Sequence, residues 1–347
     1  MSATEPTHDG GVPGSGVPDA RGLAGTALPG MRRPLPRLVL GTMTFGDTAD
    51  LDTARAMVDL ALDAGVTSID TANGYAGGRS EEMLGELLRG RWDEVTVATK
   101  AGIFAGDAGG LPLLSRKGMR SSLEASLCRL GTERVDLFYL HQPDRSVPLT
   151  EVAQGLADLV DAGLVDAVGV SNFAAWQVAD LEVACDAAGA PRPVVAQQLY
   201  NLVARRIEAE YVEFARTHGL ATIVYNPLGG GLLTGRHTFE EAPGEGRFGS
   251  SALSTMYRER YWNRAVFDAV AGLGDIAAGA GIGLPELSLR WLLSQPVVDA
   301  VLLGGSKPAQ LRANIEAATR GPLPDDVLQA CSEVGRALAG PMPAYNR

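Results

Sequence analysis

The chain has 347 residues, 46% of them hydrophobic, which is enough for one large or two ordinary domains with a sizeable core. Its formal net charge of −11 disfavours nucleic acid or an anionic membrane as the main partner, while leaving room for a local basic pocket. Cys128, Cys185 and Cys331 are odd in number and widely spaced, and no apolar run reaches the ~18 residues a bilayer span needs, so buried thiols in a reducing, cytoplasmic setting are expected.

Residues 1–34 open on a stretch rich in Gly, Pro, Ala and Thr that lacks the charged start and apolar core of a secretory signal. A flexible tail is expected there, followed by one folded domain over residues 35–347. From Arg37 onward strand-like and helix-like segments alternate. Leu38–Leu40 opens the series. A helix follows over Leu51–Ala64, closed by Gly65 as a left-handed cap. Next come the short strand Ser68–Asp70 and a helix over about Ser80–Leu88, with Ser80 as its N-cap. The strand Val95–Lys100 leads to a helix over Gly118–Leu130, and Val135–His141 to one over Leu149–Ala162. Ala167–Val170 and Val194–Gln197 precede helices over Ala175–Ala188 and Ile207–His218. After Ala221–Tyr225 an irregular stretch runs to about Tyr257. Helices over Arg260–Ala280 and Pro285–Ser294, the strand Ala300–Leu303, and helices over Pro308–Thr319 and Pro324–Leu338 complete the pattern.

Eight short, continuous apolar runs, each followed by a helix, predict a parallel sheet buried on both faces. Eight such units in about 300 residues fit a closed (β/α)8 TIM barrel. An open doubly wound sheet is the runner-up, but its G-x-G-x-x-G fingerprint does not follow the first strand.

Four polar residues stand out within this frame. Asp70, Lys100 and His141 each end a strand-like run, and Tyr75 follows the first of these. In a parallel barrel the carboxyl ends of the strands share the face where chemistry sits. A free tyrosine titrates near ~10, and a neighbouring ammonium lowers that value. Lys100, held by Asp70, is expected to tune Tyr75 as a general acid in this way, with His141 donating a hydrogen bond to the same oxygen. Protonating a carbonyl oxygen requires an electron pair at its carbon, and a reduced nicotinamide is the natural source. Taken singly, each residue has an ordinary explanation as a cap, a surface ring, a solvated strand end or a packed imidazole. Only their joint placement favours chemistry. Of the four histidines only His141 ends a strand, and H-x-H and H-x-x-x-H are absent, so no metal site is expected.

The ordered set Leu40-Gly41-Thr42-Met43, Asp70-Thr71-Ala72 with Tyr75, Thr99-Lys100, Leu140-His141-Gln142, Gly169-Val170-Ser171-Asn172 and Tyr225-Asn226-Pro227-Leu228 resembles the aldo-keto reductases. The likeness runs from about Arg37 to Thr319 and is nearest the branch of potassium-channel β subunits and bacterial general reductases. It implies a (β/α)8 barrel that binds NADPH, with NADH less favoured, and a catalytic tetrad of Asp70, Tyr75, Lys100 and His141. It also implies cofactor contacts from Gly41, Thr42, Met43 and Asp70. Ser171, Asn172 and Gln197 would hold the nicotinamide carboxamide, with Gln198 as the alternative to Gln197. Tyr225, beside Asn226 and Pro227, would stack on the ring. Leu228, Gly230, Gly231 and Arg236 would cover the pyrophosphate. Gly304, Ser306, Lys307, Gln310 and Asn314 would face the adenosine end, where Lys307, Arg312 and Arg247 would favour NADPH.

Two positions depart from the family pattern. Ala313 replaces an acidic residue before Asn314, and Arg236 replaces a lysine, which keeps the charge but changes its geometry. The resemblance implies reduction of an aldehyde or ketone. The alternative is an NADP(H)-binding sensor or partner module with little turnover. The substrate is a small carbonyl compound in the first case. Specificity would come from the variable loops 102–117 and 229–261 and the carboxyl tail, and candidate pocket walls are Phe45, Phe104, Trp176, Tyr257, Tyr261 and Trp262.

Overall fold

The computed structural model describes residues 18–241, 243–251 and 253–340. Its elements follow in chain order as β1 (Leu38–Gly41), α1 (Leu51–Asp63), β2 (Ser68–Asp70), α2 (Arg79–Leu87), β3 (Thr96–Ala101), α3 (Arg116–Leu130), β4 (Val135–Leu140), α4 (Leu149–Asp161), β5 (Val165–Ser171), α5 (Ala175–Ala188), β6 (Val195–Leu199), α6 (Tyr211–His218), β7 (Ala221–Tyr225), α7 (Ser254–Tyr261), α8 (Arg264–Gly279), α9 (Leu284–Leu293), β8 (Ala300–Leu303), α10 (Pro308–Thr319) and α11 (Asp325–Ala339). The eight strands pair in parallel, neighbour to neighbour, and β1 closes on β8 through Leu38–Val301, Val39–Leu302 and Leu40–Leu303. The expected (β/α)8 TIM barrel is therefore present.

Successive side chains of a strand point to opposite faces, so each strand divides into two sets. Leu38, Leu40, Ile69, Val97, Phe138, Leu140, Val168 and Val170 face outward into the layer beneath the helices. Val39, Ala98, Leu137, Tyr139, Ala167, Val195, Ala221, Ile223, Ala300 and Leu302 fill the interior. Gly169 makes room for the Tyr139 ring, since a Cβ there would lie 2.7 Å from Tyr139 Cε1. The same parity aims Asp70, Lys100, Ser171, Gln197 and Tyr225 inward at the carboxyl ends of their strands. The site is thus laid out by strand register before any loop is considered.

The amino-terminal end of the barrel is sealed. Thr26 and Leu35 exchange backbone hydrogen bonds of 2.8 Å in an antiparallel bridge, and buried Leu28 and Leu35 pack into the interior cluster. Thr26 Oγ1 donates to Asp299 Oδ1 at 2.8 Å, and Ala20 N donates to Ala64 O at 2.8 Å. The tail expected through residue 34 is therefore shorter over the described residues. Residues 18–34 bury apolar side chains that composition alone does not set apart, and residues 1–17 lie outside the described set.

Three local expectations also change. Ser80 lies inside α2 and does not cap it, because its hydroxyl is taken by Thr42 and Thr71. The helix expected from Arg260 breaks at Trp262, and Asn263 starts α8 by accepting a hydrogen bond from Val266 N at 3.0 Å. Cys185 and Cys331 are buried free thiols, but Cys128 is exposed. No single helix among the described residues is long and apolar enough to cross a membrane.

Candidate active site

The four polar strand-end residues meet at the carboxyl end of the barrel. Lys100, from β3, is fully buried, and its three ammonium protons find three acceptors. These are Asp70 Oδ1 on β2, Thr71 O at 2.7 Å and the Tyr75 hydroxyl at 3.3 Å. Gln197, from β6 across the barrel, donates Nε2 to Asp70 Oδ2 at 2.8 Å. The half-buried rings of Tyr75 and His141 pack edge to face, with centroids 5.9 Å apart. Burying an ion pair costs several kcal/mol per ion in desolvation, and it persists only where hydrogen bonds satisfy both partners, as they do here.

The electrostatics differ in part from the expectation. Burial pulls the Lys100 ammonium down, but Asp70 and Tyr75 raise it by more, and its net direction is up. Asp70 feels the opposing pulls of its own burial, which raises it, and of Lys100 and Gln197, which lower it. The pair is best satisfied in its charged form, because every donor and acceptor named above matches that form. Tyr75 was expected to be lowered by Lys100. Lys100 does pull it down, but burial and the Asp70 charge outweigh that pull, and the phenol is raised. Burial, then the Lys100 charge, brings His141 down to about 3, so its imidazole is neutral at physiological pH. Its Nδ1 is buried without a partner, as is the hydroxyl of Tyr139 in the layer below.

The residues expected around a cofactor fall into three groups. In the first, Ser171 Oγ donates to Gln197 O at 3.0 Å, and Asn172 Nδ2 donates to His141 O at 2.9 Å and to Ser171 Oγ at 3.1 Å. The Tyr225 hydroxyl donates to Asn172 Oδ1 at 2.6 Å. These side chains line one sector of the mouth beside His141. Gln198 points outward to Phe173 O, whereas Gln197 points into the barrel toward Asp70.

The second group is the loop after β7. Asn226 has φ 62° and directs its side chain into the loop, where Oδ1 accepts from Gly230 N at 2.6 Å and Nδ2 donates to Tyr261 at 2.9 Å. Asn226 thus shapes the loop instead of presenting an amide to solvent. Leu228 and Pro227 are partly buried beside it. Gly230 and Gly231 have φ 71° and 104°; their N–H groups donate to Asn226 Oδ1 and Leu228 O, and the Tyr257 ring lies where a Cβ of Gly230 would fall. Arg236 is exposed. Arg247, over the Tyr257 ring at 5.6 Å, buries Nη1 without a partner.

The third group spans β1 and β8. Thr44 Oγ1 donates to Gly305 O at 2.8 Å and joins the two loops. Thr42 is fully buried and bonded to Asp70 O and Ser80, so its side chain supports the site from behind, while Gly41 and Met43 are half-buried. Gln310 Oε1 accepts from Ser306 N at 2.9 Å, Asn314 Nδ2 donates to Gly304 O at 3.3 Å, and Lys307 is exposed at the start of α10.

Of the candidate pocket walls, Phe45, Tyr257 and Tyr261 are buried and belong to the core. Trp176 is 57% exposed beside a groove of about 230 Å³ lined by Pro143, Val147 and Phe173. The Asp70–Gln197 link and the Tyr139 layer were not read from the sequence. Strand parity is the signal for Tyr139, which stands two residues before His141. Among the described residues there is no cluster of three or more His, Cys, Asp or Glu side chains able to hold a metal ion.

Residues 37–336 match the sequence model of the Aldo/keto reductase family. The chain belongs to the aldo/keto reductases. It is 37% identical over 353 residues to aflatoxin B1 aldehyde reductase member 2 of Rattus norvegicus, covering 96% of this chain and 95% of that one. It is also 37% identical to aldo-keto reductase family 7 member A3 of Homo sapiens, over 91% of this chain and 99% of the other. A probable voltage-gated potassium channel subunit beta of Arabidopsis thaliana is 32% identical, over 81% and 86%. This aldo/keto reductase is accordingly an oxidoreductase of the class that reduces small carbonyl compounds with a nicotinamide cofactor.

Proposed function

We propose that the protein reduces an aldehyde or ketone to an alcohol with NADPH, and that Tyr75 is the proton donor. The observation that carries this reading is the Tyr75 hydroxyl 3.3 Å from the buried Lys100 ammonium, which is itself paired to Asp70. The phenol oxygen accepts the Lys100 hydrogen bond, so its own proton is free to point toward a substrate in the mouth. Because Tyr75 is raised overall, the phenol keeps that proton at neutral pH until a stronger base forms beside it. NADPH, when held there, would supply a hydride for the carbonyl carbon. The carbonyl oxygen then takes the Tyr75 proton, and the ammonium of Lys100 stabilises the phenolate left behind. Neutral His141 orients the carbonyl by a hydrogen bond from Nε2, the ring nitrogen left to it by the burial of Nδ1.

The residues present fit the cofactor. The buried, unpartnered Nη1 of Arg247, in the long loop after β7, suits a cofactor phosphate. Leu228 and Arg236 flank the same loop. Ser171, Asn172 and Gln197 would hold the nicotinamide carboxamide and Tyr225 its ring. Gly304, Ser306, Gln310 and Asn314 would hold the adenosine end, with Lys307 supplying charge for its ribose phosphate. The test is NADPH oxidation with a panel of aldehydes and ketones, alongside Tyr75→Phe. Turnover with at least one carbonyl, lost in Tyr75→Phe while NADPH still binds, is the expected result. Substantial turnover in that variant sinks the assignment of Tyr75. Bound cofactor that no carbonyl oxidises favours instead the partner-module reading raised by the channel-subunit relatives.

A further inference from the structure

Behind the Tyr75 turn lies a second buried ionic cluster. Glu81, fully buried in the first turn of α2, accepts a hydrogen bond from Thr99, the β3 neighbour of Lys100. Its other oxygen accepts from Arg129 Nε at 2.7 Å. The remaining face of the Arg129 guanidinium forms a two-pronged contact with Asp107, at 3.0 and 2.7 Å. Asp107 Oδ2 also accepts from Asn73 Nδ2 at 3.1 Å, and Asn73 N donates to Lys100 O at 3.2 Å. The other amide atom of Asn73, Oδ1, is buried without a partner, so these bonds alone fix that side. Arg129 reaches this place over Gly78, where a Cβ would lie 2.9 Å from Arg129 Cδ.

The cluster grips both stems of the turn that carries Tyr75, Asn73 before it and Glu81 after it. That turn needs holding. Ala76 sits at φ 48°, with Gly77 and Gly78 at 64° and 96°. A left-handed non-glycine residue is strained and persists only where its surroundings over-determine it. Asp107 belongs to the β3–α3 loop, whose Phe104 packs on Gly74 at 3.2 Å, counted from a Cβ placed there. Burial opposes the charge on Arg129, yet Asp107 and Glu81 together hold its guanidinium above its ordinary value.

We infer that Arg129, bridging Glu81 and Asp107, is a positioning residue that seats the Tyr75 hydroxyl against Lys100. This rests on the proposed role of Tyr75 as proton donor. A guanidinium fork matches a carboxylate in two places and an ammonium does not, so Arg129→Lys keeps the charge while loosening the clamp. A misplacement of about 1 Å can cost about 10²-fold in rate.

The experiment measures Arg129→Lys for kcat per NADPH-binding site, KM, and the solvent deuterium isotope effect on kcat. The expected result is a loss of about tenfold in kcat per site, a KM changed less than about twofold, and a larger isotope effect as proton delivery slows. A merely structural role would lower melting temperature and the number of binding sites, leaving kcat per site and the isotope effect as in the parent, and that outcome overturns the inference. If Arg129→Lys binds no NADPH, Asp107→Asn decides on the same measures, because it removes one prong without deleting the arginine. Tyr75→Phe run in parallel separates the two claims. An active Tyr75→Phe refutes the proton-donor assignment, whereas an inactive Tyr75→Phe beside an unaltered Arg129→Lys and Asp107→Asn refutes only the clamp.

Discussion

The two ends of the barrel are built from the same strands and obey the same parity, yet they do opposite things. At the amino-terminal end the inward positions are mostly aliphatic, with the small hydroxyls of Ser68 and Thr96 among them, and Leu28 and Leu35 close over them. At the carboxyl end the inward positions become Asp70, Lys100, Ser171, Gln197 and Tyr225, and nothing comparable seals them. One end returns burial energy with few polar groups to satisfy. The other holds a buried ion pair and leaves His141 Nδ1 and the Tyr139 hydroxyl unpartnered. The contrast teaches that register alone divides a barrel into a stabilising half and a reactive half.

Lys100→Met should produce the largest change, because it strikes both functions of the polar end. It leaves Asp70 buried beside an apolar side chain, at a cost of about 3–5 kcal/mol, and turnover should vanish as well. Denaturant titration and NADPH oxidation read the two losses, and a variant as stable as the parent would show that Asp70 and Lys100 are not a charged pair. Tyr75→Phe comes next. It should lower kcat by about 10²–10⁴-fold with little loss of stability, which separates reactivity from support at the same end. At the opposite end, Leu35→Ala should cost about 2–5 kcal/mol in denaturation while kcat per folded site is unchanged. A large fall in kcat there would break the division between the two ends.

The effect of His141 titration is nil at neutral pH and appears only in acid. With its value near 3, the folded ring is neutral across pH 5–8, so kcat should show no inflection near 6.5 from this group. Stability has a definite sign. Between about 6.5 and 3 the unfolded chain takes up a proton that the folded His141 refuses, so stability is lost as pH falls through that window. Replacing His141 with Gln should flatten that acid limb, and an unchanged limb would assign it to other groups.

Much of this contrast was legible in the amino-acid order. Continuous apolar runs ending in Asp70, Lys100 and His141 marked both the strands and their reactive ends, since strand period and burial leave direct traces in residue type. Other features left none. The upward shift of Tyr75 depends on how deeply its hydroxyl is enclosed, and spacing does not encode that. Spacing also does not show that the side chains of Thr42 and Asn226 bond to Ser80 and Gly230, a competition decided in three dimensions. Nothing in the spacing of Glu81 and Arg129 marks them as partners, because only the packing of α2 against α3 brings them together. The Thr26–Leu35 bridge sits in a stretch whose composition resembles a free tail.

That bridge also bears on how the molecule assembles. Thr26 meets Asp299 across 273 residues, and β1 finds its second neighbour only in β8. During synthesis this early segment must wait for nearly the last strand, leaving a strand edge open throughout. Such long-range closure makes for slow folding. Asp70, Tyr75, Lys100 and His141 all emerge within the first half of the chain, but the enclosure that gives them their electrostatic character arrives only when the ring is complete.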